Sequence, residues 1–353
     1  PMPDPTCKSS ALPLTRLRRR LLYLLLFPLL VLMLLFPQTA ASGAMNGLTL
    51  WSQTLLPVLL PFLILSGLLI TLKMTRPLNL LLSPLLCRIF PVSRAACYPI
   101  VLGLLCGMPL GAKTTADLYR SGEISESDAR FLLGFSNQAS LMFIISYVTA
   151  KELAAPAHTA VFLAVIYLTG WIVSGCMYKI PLFYRSSQEK AVSAAPASPE
   201  SKQRSSAPSG DASAQMARRT AREPAPSFFA ALDGCIIDGF ATITKIGGYV
   251  ILFSMLSAFF MRLPLPEAVS ALLCGALEIT SGIHKICAGN LPAVQKTALT
   301  IGLTAFGGIS GILQTKSVTL GSGLSIRYYV IVKLTQGICA GLLTCAVSVW
   351  LTG

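Results

Sequence analysis

Charge is scarce in this sequence. Asp, Glu, Lys and Arg together make 12% of its 353 residues, where soluble domains carry about 25%. A soluble fold of this length needs a charged surface, so the shortage argues against one and for a polytopic membrane protein in a lipid bilayer. Histidine is scarcer still: there are two, His158 and His284, neither beside other ligand residues. The ten cysteines include no C-x-x-C pair and no Cys/His cluster with metal spacing. Most stand in apolar runs and read as small buried apolar residues. No metal centre is expected, and no nucleophile or acid pair suggests an enzyme of another kind. Acidic residues are also few, 14 against 28 basic ones. No basic-aromatic surface pattern accompanies the excess, so it reads as cytoplasmic loops under the positive-inside rule rather than as a nucleic-acid footprint.

What is present in quantity is apolar sequence, 54% of the chain. The run RLRRR, Arg16–Arg20, precedes an apolar segment at 21–36. Basic residues before an apolar run fit a signal peptide, but the further spans downstream favour an uncleaved first helix. With the start of the first helix in the cytoplasm, the uncharged stretch 37–50 is expected on the outer side. A second span is expected at about 51–71, with Pro57 and Pro61 inside it; neighbouring helices make such prolines tolerable in a membrane. An amphipathic segment at 77–90 follows.

Residues 97–111 supply about 15 apolar positions, short of the ~20 a crossing needs. They end in C-G-M-P-L-G-A-K-T-T, Cys106–Thr115. This is not a nucleotide loop: three residues, not four, separate Gly107 from Gly111, and Ala112 precedes Lys113. A re-entrant half-helix is expected instead. The segment 118–131 reads as a soluble helix-turn-helix broken at Gly122, with Ser125 capping its second helix and Asp128 at the third position. Spans are expected at 131–150 and 157–178. The Ala-, Ser- and Pro-rich stretch 186–227 reads as a flexible cytoplasmic linker.

The second half repeats the plan, with spans at about 234–260, 297–315 and 327–350 and a short segment at 266–282. Gly111 and Gly282 end the two short segments, and Phe135 and Phe306 lie 24 residues beyond each, so both pairs are offset by 171. Counting spans from the linker puts loop 112–130 in the cytoplasm and makes the two short segments enter from opposite sides. The expected fold is all-α: two inverted repeats with re-entrant or broken helices, a transporter architecture. The domains are then 1–44 (basic segment and first helix), 45–180 (first repeat), 181–227 (linker) and 228–353 (second repeat).

Candidate solute-binding residues follow. Gly107, Pro109 and Gly111 break a helix and let backbone approach a ligand. Free amides there and the charge of Lys113, followed by Thr114, suit an anionic or polar solute; alternatively the turn only packs helices. Glu278, an acid in a short membrane segment, is a functional candidate. It binds a coupling proton or cation, pairs with Lys113 or Lys316, or snorkels to the surface. Thr280, Ser281 and Gly282 follow it. Asn137 and Gln138 contact solute or tie helices together, and Gln314 and Lys316 form the matching polar end of the second half. No cofactor is expected.

Three blocks carry a family resemblance: GLLCGMPLGAKTTADLYRSGEISESDARFLLGFSN (103–137), LEITSG (277–282) and FGGISGILQTK (306–316). They are similar to the YlbJ family of sporulation integral membrane proteins, whose halves belong to the nucleoside-recognition or Gate group. One departure is that Asn137 leads into QASLM where the group often has proline. The resemblance implies a secondary transporter of a small anionic solute, dipicolinic acid, moved from mother cell toward forespore. It also implies a place in the outer forespore membrane; a homodimer or other sporulation membrane proteins are candidate partners. Two alternatives remain: a structural membrane protein needed for spore assembly, and a nucleoside-type solute transporter.

Overall fold

The computed structural model describes residues 27–90, 92–180 and 227–352. The Arg16–Arg20 cluster and linker positions 181–226 lie outside the described residues. Helices and turns make up the described chain, with no strand among them. Four helices are long and apolar enough to cross a membrane, or up to six if each bent pair counts as one span. The protein is an all-α polytopic membrane protein.

Helix α1 (Phe27–Leu35) meets α2 (Pro37–Leu50) at a 104° bend. Pro37 opens α2, where its missing N–H costs nothing. The stretch expected on the outer side, 37–50, is therefore a helix. The stretch is helical because Gly43 and Gly47 bring it against α9 (Phe228–Phe260): a Cβ on either would stand within 2.8 Å of α9 backbone. That close approach outweighs weak hydrophobicity, as in other small-residue membrane contacts. A π-helical turn, Trp51–Leu55, carries α2 into α3 (Leu56–Thr71). The turn immediately precedes Pro57, and such bulges accommodate interrupted backbone bonding. Helix α4 (Thr75–Ile89) follows as the amphipathic segment.

Helices α5 (Cys97–Cys106) and α6 (Leu110–Arg120) form an antiparallel hairpin with its tip at 107–109. Gly103 and Gly111 face each other across it, a Cβ on Gly111 lying 3.2 Å from the Gly103 Cα. The short apolar segment thus goes in and comes back, as its length requires. Helix α7 (Glu126–Phe135) begins as expected, with Ser125 accepting the Asp128 amide at 3.1 Å. It is not part of a soluble unit, however. From Asp128 to Phe135 every residue is buried, because α6 and α7 pack under the rest of the bundle.

Two expected spans prove to be broken. Residues 131–150 are interrupted at 136–140, between α7 and a π-helical segment, Phe143–Glu152. Residues 297–315 are interrupted at Gly307, between α12 (Ala293–Phe306) and α13 (Gly308–Val318). Phe135 and Phe306, the pair offset by 171, each end the helix before its break. Helix α8 (Thr159–Met177) crosses between the repeats' breaks, and α14 (Ile326–Thr352) closes the chain.

The second hairpin is α10 (Glu267–Leu277) and α11 (Ile279–Ala288), with Glu278 at its tip. A Cβ on Gly282 would lie 2.0 Å from the Gly275 Cα. The two hairpins enter from opposite ends of α9. Arg120, at the base of the first, lines one cavity with Ala230; His284, toward the base of the second, lines another with Ser254. On one continuous helix those α9 residues are roughly 36 Å apart, more than the ~30 Å hydrocarbon core. Opposite entry of the two hairpins is the arrangement that inverted repeats require.

Candidate functional site

Gly307 and Gly308 lie between the two hairpin tips. Beside Gly307 stands the Met108 side chain of the first tip; beside Gly308 stand Leu277 and Ile279 of the second. A positive φ at both glycines, 83° and 71°, breaks the helix at this point. Around the junction is a cavity of about 120 Å³. Its polar wall comprises Ser140, Glu278, Thr280, Ser310 and Gln314, and Met108, Phe143 and Val250 are among its apolar wall. The sequence candidates Glu278, Thr280 and Gln314 are thus brought together, and Ser140 and Ser310 join them from the two helix breaks.

Two larger cavities flank it. One, of about 630 Å³, contains Lys113, Asp117, Arg120, Asp238 and Lys245. The other, of about 400 Å³, contains Tyr147, Lys151, Glu152 and His284. A single face of α9 runs past all three. Thr242 lines the first vestibule, Val250 the central cavity and Ser254 the second vestibule. Ile246, between Thr242 and Val250, belongs to an apolar layer with Leu59, Leu63 and Leu110 that leaves no room for water. Residues four apart share a helix face, so one helix lines vestibule, barrier, cavity and vestibule in order.

The structure gives Lys113 different company from that expected. Its ammonium lies 3.0 Å from Asp117 and 2.8 Å from Asp238, in the first vestibule. The Asp117 carboxylate also takes Arg120 at 2.7 Å. Thr114 donates to the Leu110 carbonyl of its own helix. The amides at the first tip are also taken: Met108 N–H donates to the Gln138 carbonyl at 2.7 Å, and those of Leu110 and Gly111 donate to the Gly107 carbonyl. Gly107, Pro109 and Gly111 therefore do not present free donors to a ligand. Gly107 and Gly111 admit the backbone of 136–140 instead, since a Cβ on either would strike Ser140 or Ser136.

Glu278 pairs with neither Lys113 nor Lys316. Its carboxylate accepts the amides of Thr280 at 3.1 Å and Ser281 at 2.8 Å, and the Thr280 hydroxyl, capping α11. It is 5% exposed, so it does not snorkel. Gly282 packs on Gly275, and Lys316 is exposed. Gln314 donates to Ser310 at 3.0 Å.

Asn137 and Gln138 tie helices together. The Asn137 amide donates to Thr315 at 2.8 Å and Tyr329 at 2.7 Å, and its oxygen accepts the Ala112 amide. The Gln138 amide donates to the Gly134 carbonyl and to Gln336, and its oxygen accepts from Lys333 at 2.6 Å. Lys333 is fully buried, and the sequence reading passed over it. The signal was there: a lone lysine in the expected span 327–350, where an intramembrane charge calls for a function.

No protein-family model and no solved structure matches the chain. The chain is similar to the sporulation integral membrane protein YlbJ of Bacillus subtilis (strain 168), 26% identical over 322 residues that cover 86% of this chain and 76% of that protein, and this likeness supports a YlbJ-like assignment for the present membrane protein.

Proposed function

We propose that the protein is a secondary transporter that carries a small anionic solute through the cavity between its hairpin tips. The observation that supports this reading most directly is the alignment along α9: a cavity with broken helices around it, a vestibule at either end, and an apolar layer closing one approach. Inverted repeats whose interrupted helices meet at such a cavity suit alternating access, in which one repeat rocks against the other and opens the cavity to one side at a time. Polar groups at the breaks replace the hydration a solute gives up. Glu278, beside the cavity, holds a coupling proton or cation. Its carboxylate caps α11, accepting the amides of Thr280 and Ser281.

The name of the Bacillus relative, a sporulation integral membrane protein, supports a setting in sporulation. The resemblance carried by residues 103–137, 277–282 and 306–316 supports dipicolinate as the proposed solute, moved from mother cell toward forespore across the outer forespore membrane. The test is flux of pyridine-2,6-dicarboxylate into sealed liposomes holding the purified full chain. Uptake above that of protein-free liposomes is expected. Uptake no faster than in protein-free liposomes, from correctly folded protein, would leave a structural role in spore assembly as the better reading.

A further inference from the structure

Lys333 sits within α14, 0% exposed, with one hydrogen bond, to the Gln138 side-chain oxygen. An ammonium has three donors, so the protein leaves two of them without an acceptor. No ion pair to Lys333 exists among the described residues. Charging a buried amine without a counter-ion is expensive, so such a group in a membrane helix calls for a ligand or a partner that supplies the counter-charge. The cations nearer the first vestibule differ in this respect. Lys113 and Arg120 share Asp117, and Asp238 completes the neutralisation of Lys113.

The place of Lys333 is as informative as its burial. Its Cε and the Met108 side chain both reach the point beside Gly307 where a side chain would begin, at 3.8 Å and 2.8 Å. Gly307 and Met108 both line the central cavity. The lysine is therefore separated from the cavity by a residue with no side chain and by a thioether, which is unbranched and adopts new rotamers readily. Gln138 does not shield it further. That amide is fixed by its own bonds to the Gly134 carbonyl and to Gln336.

We propose that Lys333 is the counter-charge for the anionic group of the solute, so that the wall of the cavity at Gly307 and Met108 is a carboxylate subsite. This rests on the transport reading of the cavity and names the residue that makes it select an anion. A carboxylate at Gly307 supplies the acceptors that Lys333 lacks once Met108 turns aside. Glu278, with its carboxylate already satisfied at the other tip, keeps the coupling cation apart from the solute's charge.

The test uses the full chain, purified, with pyridine-2,6-dicarboxylate and its neutral diamide as calorimetric probes. Lys333→Gln is expected to weaken the diacid by about tenfold or more, the scale of one charge-assisted hydrogen bond, and to leave the diamide's weak binding nearly unchanged. Gln138→Glu covers the case in which Lys333→Gln does not fold. It gives Lys333 a carboxylate within the protein at the loss of the two bonds the Gln138 amide donates; a cooperative thermal transition in detergent checks that it folds, and it should likewise lose diacid binding. Diacid binding that survives Gln138→Glu, or that falls equally with the diamide in Lys333→Gln, overturns the assignment. If the native protein binds the diacid and neither substitution alters it, Lys333 has no such role while the transport reading stands. If the native protein binds no diacid at all, the anion reading of the cavity fails, and the assignment fails with it.

Discussion

The Lys113 ammonium lies 2.8 Å from the Asp238 carboxylate and so fastens the first hairpin to α9. The bond stands directly over the apolar layer of Leu59, Leu63, Leu110 and Ile246, in which Lys113 itself takes part. Asp238 is 62% exposed, and exposed pairs contribute about 0–1 kcal/mol. The pair is thus a weak latch. Asp238→Asn is expected to lower stability by less than about 1 kcal/mol yet loosen closure. In a cysteine-free background carrying Ile246→Cys, thiol labelling from the first-vestibule side should be faster with Asp238→Asn than without it. Identical labelling rates would show that the apolar layer closes the path unaided.

Gly282→Ala should damage the second hairpin. Its Cβ would stand 2.0 Å from the Gly275 Cα and 2.3 Å from the Gly275 nitrogen, and backbone cannot yield as a flexible side chain does. Overpacking of this kind costs about 1–3 kcal/mol. Gly248→Ala is the control, because its Cβ meets nothing within 4 Å and alanine is the better helix former by about 1 kcal/mol. Thermal unfolding in detergent should fall for the first and hold or rise for the second. Equal midpoints would mean the hairpin is looser than the distances require.

The hairpins' opposite entry is also checkable, and with it the expectation that loop 112–130 faces the cytoplasm. Ser127 is exposed beside the first hairpin's base, and Gln295 is exposed beyond the second hairpin. Single cysteines at the two positions should label from opposite faces of a sealed vesicle, Ser127→Cys from the cytoplasmic one. Labelling of both from one face would break the inverted arrangement.

Glu278 separates a folding role from a coupling role. Glu278→Ala removes the acceptor for the Thr280 and Ser281 amides and should cost about 0.5–2 kcal/mol, as loss of a cap does. Glu278→Gln retains a side-chain oxygen and should fold nearly as well. It should nevertheless abolish any dependence of flux on proton or cation gradients. A gradient dependence that persists in Glu278→Gln would take the coupling role away from this residue.

The sequence made the membrane class, the two short segments and the pairing of Phe135 with Phe306 readable, because each rests on local composition and length. The breaks at 136–140 and 307 were harder. The clusters SNQAS and GGISG looked like small residues within spans, and only the opposing hairpin tips show why they unwind. Lys113 was misplaced for a related reason. Asp117 is a helical neighbour, but Asp238 is 125 positions away, and nothing local announces it. Nothing local in 37–50 announces that Gly43 and Gly47 pack against α9, whose contacting residues lie about 200 positions away. Lys333 was the reverse case, legible as an intramembrane charge but passed over in favour of a lysine beside a glycine-rich turn.

The row of residues on α9 has an electrical consequence. From Thr242 to Ser254, the residues of this helix face that line the two vestibules, the helix rises roughly 18 Å, about half its path from Ala230 to Ser254. Water and ions in the vestibules carry each bulk potential inward, so the voltage across the bilayer drops mainly over this thin septum around Ile246 and Val250. A charged solute there meets a field about twice that in an undented bilayer of the same span. Each elementary charge still exchanges about 2.3 kcal/mol per 100 mV on full crossing, but it does so within a few helical turns. Small displacements of the hairpin tips at this level are then worth a large share of the electrical work.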